Sequence, residues 1–149
     1  MGEIARGKAA YAYEQLKTPL IADDTGVFID ALNGFPGPYA AYVLNTIGNS
    51  GVLKLMEGQK DRNARFITAI AFADTNGVRV FTGTIDGRIA QAPRGEMGFG
   101  YDPIFETGDK TLAEIPLEEK SRISHRARAL AAFHDWFLKD YSMSRHANG

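Results

Sequence analysis

The chain has no cysteine. That absence excludes disulfide scaffolds, thiol nucleophiles and Cys-ligated zinc or iron–sulfur centres together, and it fits a reducing compartment. An excess of charge is missing too, because 17 Lys and Arg stand against 18 Asp and Glu, a formal net charge of -1. No bulk field therefore draws the chain to nucleic acid or to an anionic membrane, and neither is an expected partner. No apolar run approaches the roughly 20 residues that a membrane span requires, and Met1 to Ala10 lack the apolar stretch of a secretion signal, so a cytoplasmic protein is expected. Also lacking are a zinc-spaced histidine pair, a Gly-x-Ser-x-Gly elbow and the Walker and dinucleotide fingerprints, which leaves covalent catalysis without an obvious nucleophile.

What is present is 44% apolar residues in a chain of 149, enough to core one domain over 1–149 and too few for two. Ala5, Ala9, Ala12 and Leu16 recur on one face of a helix expected over Glu3 to Lys17, which Thr18-Pro19 stops. Leu20, Ile21 and Ala22 read as a short buried strand that ends in Asp23-Asp24-Thr25-Gly26. Asn33 to Pro38 is dense in turn formers, and short helices are expected over Tyr39 to Ile47 and Val52 to Met56. Ala64 to Ala73 and Val78 to Ile89 read as two strands of a hairpin turning at Thr75-Asn76-Gly77. Arg94 to Pro103 is a loop with special backbone demands. A last helix opens on the N-cap Ser124, with Ala127, Leu130, Ala131, His134, Phe137 and Leu138 as its apolar stripe. His134 reads as a core histidine; Ser142 to Gly149 is a polar tail that contains His146, and neither histidine is given a role. The whole is one α/β or α+β domain without repeats.

Three constellations carry chemistry. In Asp23-Asp24 successive strand side chains face opposite ways, so one carboxylate can enter a cleft while its neighbour serves the surrounding backbone. A hard cation such as Mg²⁺ accepts one or two carboxylates completed by water and phosphate oxygens, with Glu3 a possible second ligand; the competing reading is a solvated turn. In Gly98-Phe99-Gly100-Tyr101-Asp102-Pro103 the glycines admit a ligand closely, the aromatic faces can stack on a base, and Asp102, held extended by Pro103, presents an acceptor to ring N–H groups. A bulged strand whose aromatics cover glycines is the alternative. Lys120, Ser124, His125 and Arg126 put cations and an imidazole at a helix start, where acidic residues are the norm; a surface pair of Lys120 with Glu118 or Glu119 competes with an anion or carbonyl site. A carboxylate-held metal, an aromatic slot and a cationic helix start together describe attack of water on a nucleoside polyphosphate, provided that all three line one groove.

These motifs, in this order over residues 3 to about 138 and with Leu32-Asn33-Gly34-Phe35-Pro36-Gly37-Pro38-Tyr39 between the first two, resemble the inosine/xanthosine triphosphate pyrophosphatases, most of all archaeal members. The resemblance implies an elongated α/β fold, a mixed sheet flanked by helices with two lobes around a central cleft. It implies a Mg²⁺-dependent homodimer that converts ITP, dITP and XTP to the monophosphate and pyrophosphate. Position by position it makes Asp24 the catalytic and metal-binding aspartate, Glu3 a metal ligand and Thr25 a substrate contact in a place usually held by serine. Phe99, Gly100, Tyr101 and Asp102 become the base pocket, and Lys120, His125 and Arg126 the residues that close over the purine. A 6-keto purine offers an acceptor where adenine offers an amino group, so a donor such as Arg126 can discriminate between them. In that family a strand and a Ser/Thr-x-Asn-x-x-Lys turn precede the helix that begins here at Glu3, and this sequence holds no such stretch before Glu3. The expectation is a chain shortened at its N-terminus, with fewer phosphate donors and an unpaired sheet edge. The alternative is a non-catalytic purine-nucleotide-binding or dimerisation module that kept the base pocket without the phosphate grip.

Overall fold

In the computed structural model, which describes residues 1–141, the expected helix and hairpin organise the chain. The polar tail 142–149 and His146 lie outside the described residues. Helix α1 (Gly2–Leu16) buries Ala5 and Ala9 and ends where Lys17 turns left-handed before Thr18-Pro19. Strand β1 (Leu20–Ile29) does not stop at the acidic corner but runs through it for 10 residues. The reason is its neighbour: β3 (Asn63–Asp74) offers an unbroken antiparallel ladder in which Asp23, Asp24 and Thr25 face Ile70, Ala69 and Thr68. Strand β4 (Gly77–Ile89) returns from the predicted turn at Thr75-Asn76. Short β2 (Pro36–Gly37), β5 (Phe105–Thr107) and β6 (Lys110–Thr111) complete a six-stranded sheet in the order β2-β1-β3-β4-β5-β6. Every pairing in it is antiparallel, so the α/β class stands, with strands that alternate in direction throughout in place of a mix of parallel and antiparallel pairs.

Helices α2 (Ala40–Thr46), α3 (Gly48–Leu55), α4 (Leu117–Ile123) and α5 (His125–Trp136) flank the sheet. None of the described helices is long and apolar enough to cross a membrane. Side chains alternate across a strand, so the register assigns each one to a face. One face, carrying Ala22, Ala69, Ala71 and Ala73, packs on Ala5 and Ala9 of α1; small residues on both sides let helix and sheet approach closely. The other face is divided. Val27, Ile29, Ala64, Phe66, Ile85 and Ile89 join the core below α2 and α3, while Phe72 and Phe81 meet Phe133 and Trp136 of α5. Between these two apolar patches lie Asp23, Thr25 and Thr68, the polar floor of a central gap, flanked by Gly83, on which α5 rests.

The stripe on α5 is displaced from the expected one. Ala129, Phe133 and Trp136 turn to the sheet, whereas Leu130, His134 and Leu138 are exposed, so His134 is not a core histidine. Gly83 decides this, because α5 crosses β4 where a side chain is missing and the backbone near Ala129 sits directly on it. Ile21, expected in a buried strand, is likewise exposed. On its outer side β1 pairs with β2 only at Val27 and Phe28, so from Leu20 to Gly26 that edge has no strand partner among the described residues.

Candidate active site

Alternation along β1 separates the two aspartates. Asp23 faces the gap, where its Oδ2 accepts from the Arg126 guanidinium at 2.8 Å. Asp24 belongs to the opposite face, in register with Ala69 and on the side covered by α1. One of its oxygens is occupied, since Oδ1 accepts from the Thr25 N–H at 3.1 Å. Thr25 faces the gap and shares a 2.9 Å hydroxyl–hydroxyl bond with the fully buried Thr68. The cationic helix start therefore meets the acidic corner through Asp23, whereas Asp24, expected to line the same groove, sits on the other face of the sheet because consecutive strand side chains part, one residue away around the open edge. Asp23, named in the acidic pair but given no role of its own, and Thr68, not named at all, are the gap residues that the sequence reading did not assign. Their signals were the alternation itself and a lone hydroxyl in the apolar run Ala64 to Ala73.

The base-pocket loop differs in detail from its sequence reading. Phe99 is 79% exposed and presents a bare ring, with the Lys120 Nζ 5.0 Å from its centroid. Tyr101 is a buried brace rather than a stacking face; its hydroxyl donates to the Ala40 carbonyl at 2.6 Å, and burial pushes its pKa up to about 12. Asp102 is not extended by Pro103 but opens a 3-10 turn, Asp102–Ile104, and is buried. Its Oδ2 accepts from the Phe99 N–H at 3.0 Å and from Lys120. The carboxylate is thus committed to its own loop, and what faces outward is the ammonium and the ring. Gly98, at φ 77°, makes this possible, because a Cβ there would lie 2.2 Å from the Asp102 Oδ2. Gly100 is also left-handed, at φ 65°.

At the other wall Ser124 caps α5 as expected, its hydroxyl accepting from the Ala127 N–H at 2.9 Å. His125 stacks flat on Phe66, ring centroids 4.5 Å apart. Burial first, then the nearby Arg126, lower its pKa to about 4; Asp102 opposes them and Lys120 adds a smaller lowering, so the ring is neutral at physiological pH. Its Nδ1 is buried with no partner among the described residues. The structure thus brings Phe99, Asp102 and Lys120 together, and Thr25, Asp23 and Arg126 together. Arg126 and His125 are neighbours on the same helix start.

Glu3 is exposed in the first turn of α1, the helix that covers the Asp24 face. Among the described residues no three His, Cys, Asp or Glu side chains lie together as a metal cage. Asp24 is half-buried, and among the described residues only one of its oxygens is engaged, which leaves the other for a hard cation that keeps several waters.

The Ham1 family profile matches residues 1–136. The dITP/XTP pyrophosphatase of Methanopyrus kandleri is 56% identical over 138 residues, covering 91% of this chain and 73% of that protein. The dITP/XTP pyrophosphatase of Saccharolobus solfataricus is 51% identical over 142 residues, covering 94% and 73%. Among solved structures, the Ham1 protein of Staphylococcus aureus superposes with a TM-score of 0.87 at 36% identity, covering 91% of this chain and 75% of its own.

Proposed function

The chain belongs to the Ham1 family, and on that premise we propose that it hydrolyses the non-standard purine nucleoside triphosphates ITP, dITP and XTP to the monophosphate and pyrophosphate. The observation that carries this reading is a pair of anchored cations around a neutral imidazole: Arg126 held on Asp23, and Lys120 held on Asp102 with the exposed ring of Phe99 beside it. The ring supplies a stacking face for a purine. Arg126, with NH1 engaged by Asp23, has further N–H groups for the keto oxygen at C6. Adenine would set an amino group against those donors and leave both unpaired, which is how hydrogen-bonding sites reject a near-isostere.

The triphosphate runs from this slot across the open β1 edge, past the Thr25 hydroxyl, to Asp24 on the far side. There Asp24 acts as general base. It takes a proton from a water whose oxygen bonds to the α-phosphorus as the bond to the α–β bridging oxygen breaks, and pyrophosphate departs. Asp24 and Glu3 are the residues that would hold Mg²⁺, which when bound supplies positive charge for phosphate oxygens and makes a coordinated water more acidic. The chain works as a homodimer in the cytoplasm, where its substrates are made; Tyr39 and Tyr42, each 69% exposed on and beside α2, offer apolar surface for a second copy.

The test is product identity. With Mg²⁺, dITP and XTP should yield pyrophosphate and dATP very little, and release of orthophosphate instead overturns the reaction class. Asp24→Asn, which changes charge but little volume, is expected to lower turnover about 10²- to 10⁴-fold with an unchanged melting temperature. A fully active variant refutes the assignment. Equal affinity for IMP and ITP without pyrophosphate release supports the binding module in place of the enzyme.

A further inference from the structure

We propose that Asn49, on α3 and outside every motif above, is a positioning residue for the purine slot. The inference rests on the reading of that slot given under the proposed function. The Asn49 side chain Nδ2 donates to the Gly100 carbonyl at 2.9 Å. A carbonyl can only accept, so this bond fixes which way the amide is turned. The other end, Oδ1, is then buried, and it has no partner among the described residues. An unpartnered buried acceptor is a liability that an apolar side chain of the same shape avoids. Where local consistency is broken in this way, function is the usual reason.

The function is legible in what Gly100 adjoins. Phe99 projects a largely exposed ring that no core holds in place, so its direction is set by the backbone beneath it. Three successive peptide units of that backbone are anchored. The Phe99 N–H is bound to the Asp102 carboxylate at 3.0 Å. The Phe99 carbonyl accepts from the Asp102 N–H at 3.2 Å. The Gly100 carbonyl is bound to Asn49. The first two anchors lie within the loop and move with it; the third ties the loop to a helix of the main core. The Tyr101 hydroxyl makes the adjacent tie, to Ala40 of α2. Without Asn49, a left-handed glycine, the most permissive residue type, is left free immediately after the stacking ring.

Asn49→Asp keeps the shape and removes the donor; Asn49→Ala removes both. Two measurements are made on each: amide hydrogen exchange without ligand, and calorimetric affinity for IMP with steady-state kinetics on dITP. Exchange in residues 98–102 is expected to quicken while the central sheet is unaffected, and IMP affinity to fall about five- to tenfold, the worth of one hydrogen bond. The KM for dITP should rise by the same factor with kcat within twofold of wild type, whereas a general loss of folded protein lowers kcat and spares KM. For Asn49→Asp burial and the facing Gly100 carbonyl, itself an acceptor, disfavour the carboxylate and raise its pKa, so the deficit, taken relative to wild type at each pH, should shrink from pH 8 to pH 5 as the carboxyl is protonated and regains a donor. Unchanged exchange and affinity in both variants, or a deficit in Asn49→Asp that acid does not reduce, overturns the role of Asn49. A wild-type protein that does not hold IMP overturns the purine slot itself and this inference with it, and that result is recognisable without any variant.

Discussion

Gly83 is the point on which the gap is built, and replacing it by alanine tests that directly. An added Cβ would sit 2.1 Å from the His125 carbonyl oxygen and 2.4 Å from the Ala129 nitrogen. Both are backbone atoms of α5 and cannot rotate away, and ordinary carbon contacts need about 3.5 Å, so the helix must retreat by roughly 1 Å. Retreat loosens Phe133 and Trp136 from Phe72 and Phe81 and carries His125 and Arg126 away from Phe66 and Asp23. Overpacking of this kind costs about 1–3 kcal/mol. At about 2–4 °C per kcal/mol for a chain of this size, the melting temperature should fall by roughly 2–12 °C, with weakened purine binding. Gly7→Ala is the control: it lies in the middle of α1, nothing comes within 4 Å of the added Cβ, and a gain of about 0.5–1 kcal/mol is expected. Thermal melts of both variants, with nucleotide titrations, suffice. Should Gly83→Ala melt at or above wild type, the close crossing of α5 over β4 is wrong, and with it the placement of the cationic wall.

Lys120→Met leaves the Asp102 carboxylate, 8% exposed, with the Phe99 N–H as its one hydrogen-bond donor among the described residues. Breaking one side of a buried pair typically costs about 3–5 kcal/mol, so urea unfolding at pH 7 should show a loss of that order, and a loss below about 1 kcal/mol contradicts the burial of the pair. His125 makes stability pH-dependent in a known direction. Its pKa is about 4 in the fold against about 6.5 in the unfolded chain, so its contribution is complete above pH 6.5 and is lost as pH falls from there towards 4. Between pH 7 and pH 5 wild type should lose up to about 2 kcal/mol relative to His125→Gln; identical pH profiles for the two proteins would show that the ring is not desolvated.

Several parts of the fold were legible because they depend on neighbours in sequence. The α1 contact follows from Ala5 and Ala9, the β3–β4 turn from Thr75-Asn76, the start of α5 from a serine hydroxyl three residues before the amide it caps. The opposition of Asp23 and Asp24 is likewise a local property, since consecutive strand residues must part. The family resemblance added what no local rule contains, the idea that these separate motifs serve one ligand.

Other features depend on what the chain meets far away, and periodicity does not see them. Whether β1 ends at its aspartates or continues through them was settled by the ladder on β3. Which stripe of α5 is buried was settled by a missing side chain on β4, about forty residues earlier, and so His134 went to solvent while Trp136 went to the sheet. Asp102 looked like a free acceptor, and a lysine 18 residues on took it. The sequence alone determined which chemical groups are available and which faces of their own elements they occupy, because those follow from covalent geometry and short-range hydrogen bonds. Tertiary structure alone decided which of those groups are already spent on each other, because desolvation and pairing depend on distances between segments that only the packed sheet brings together.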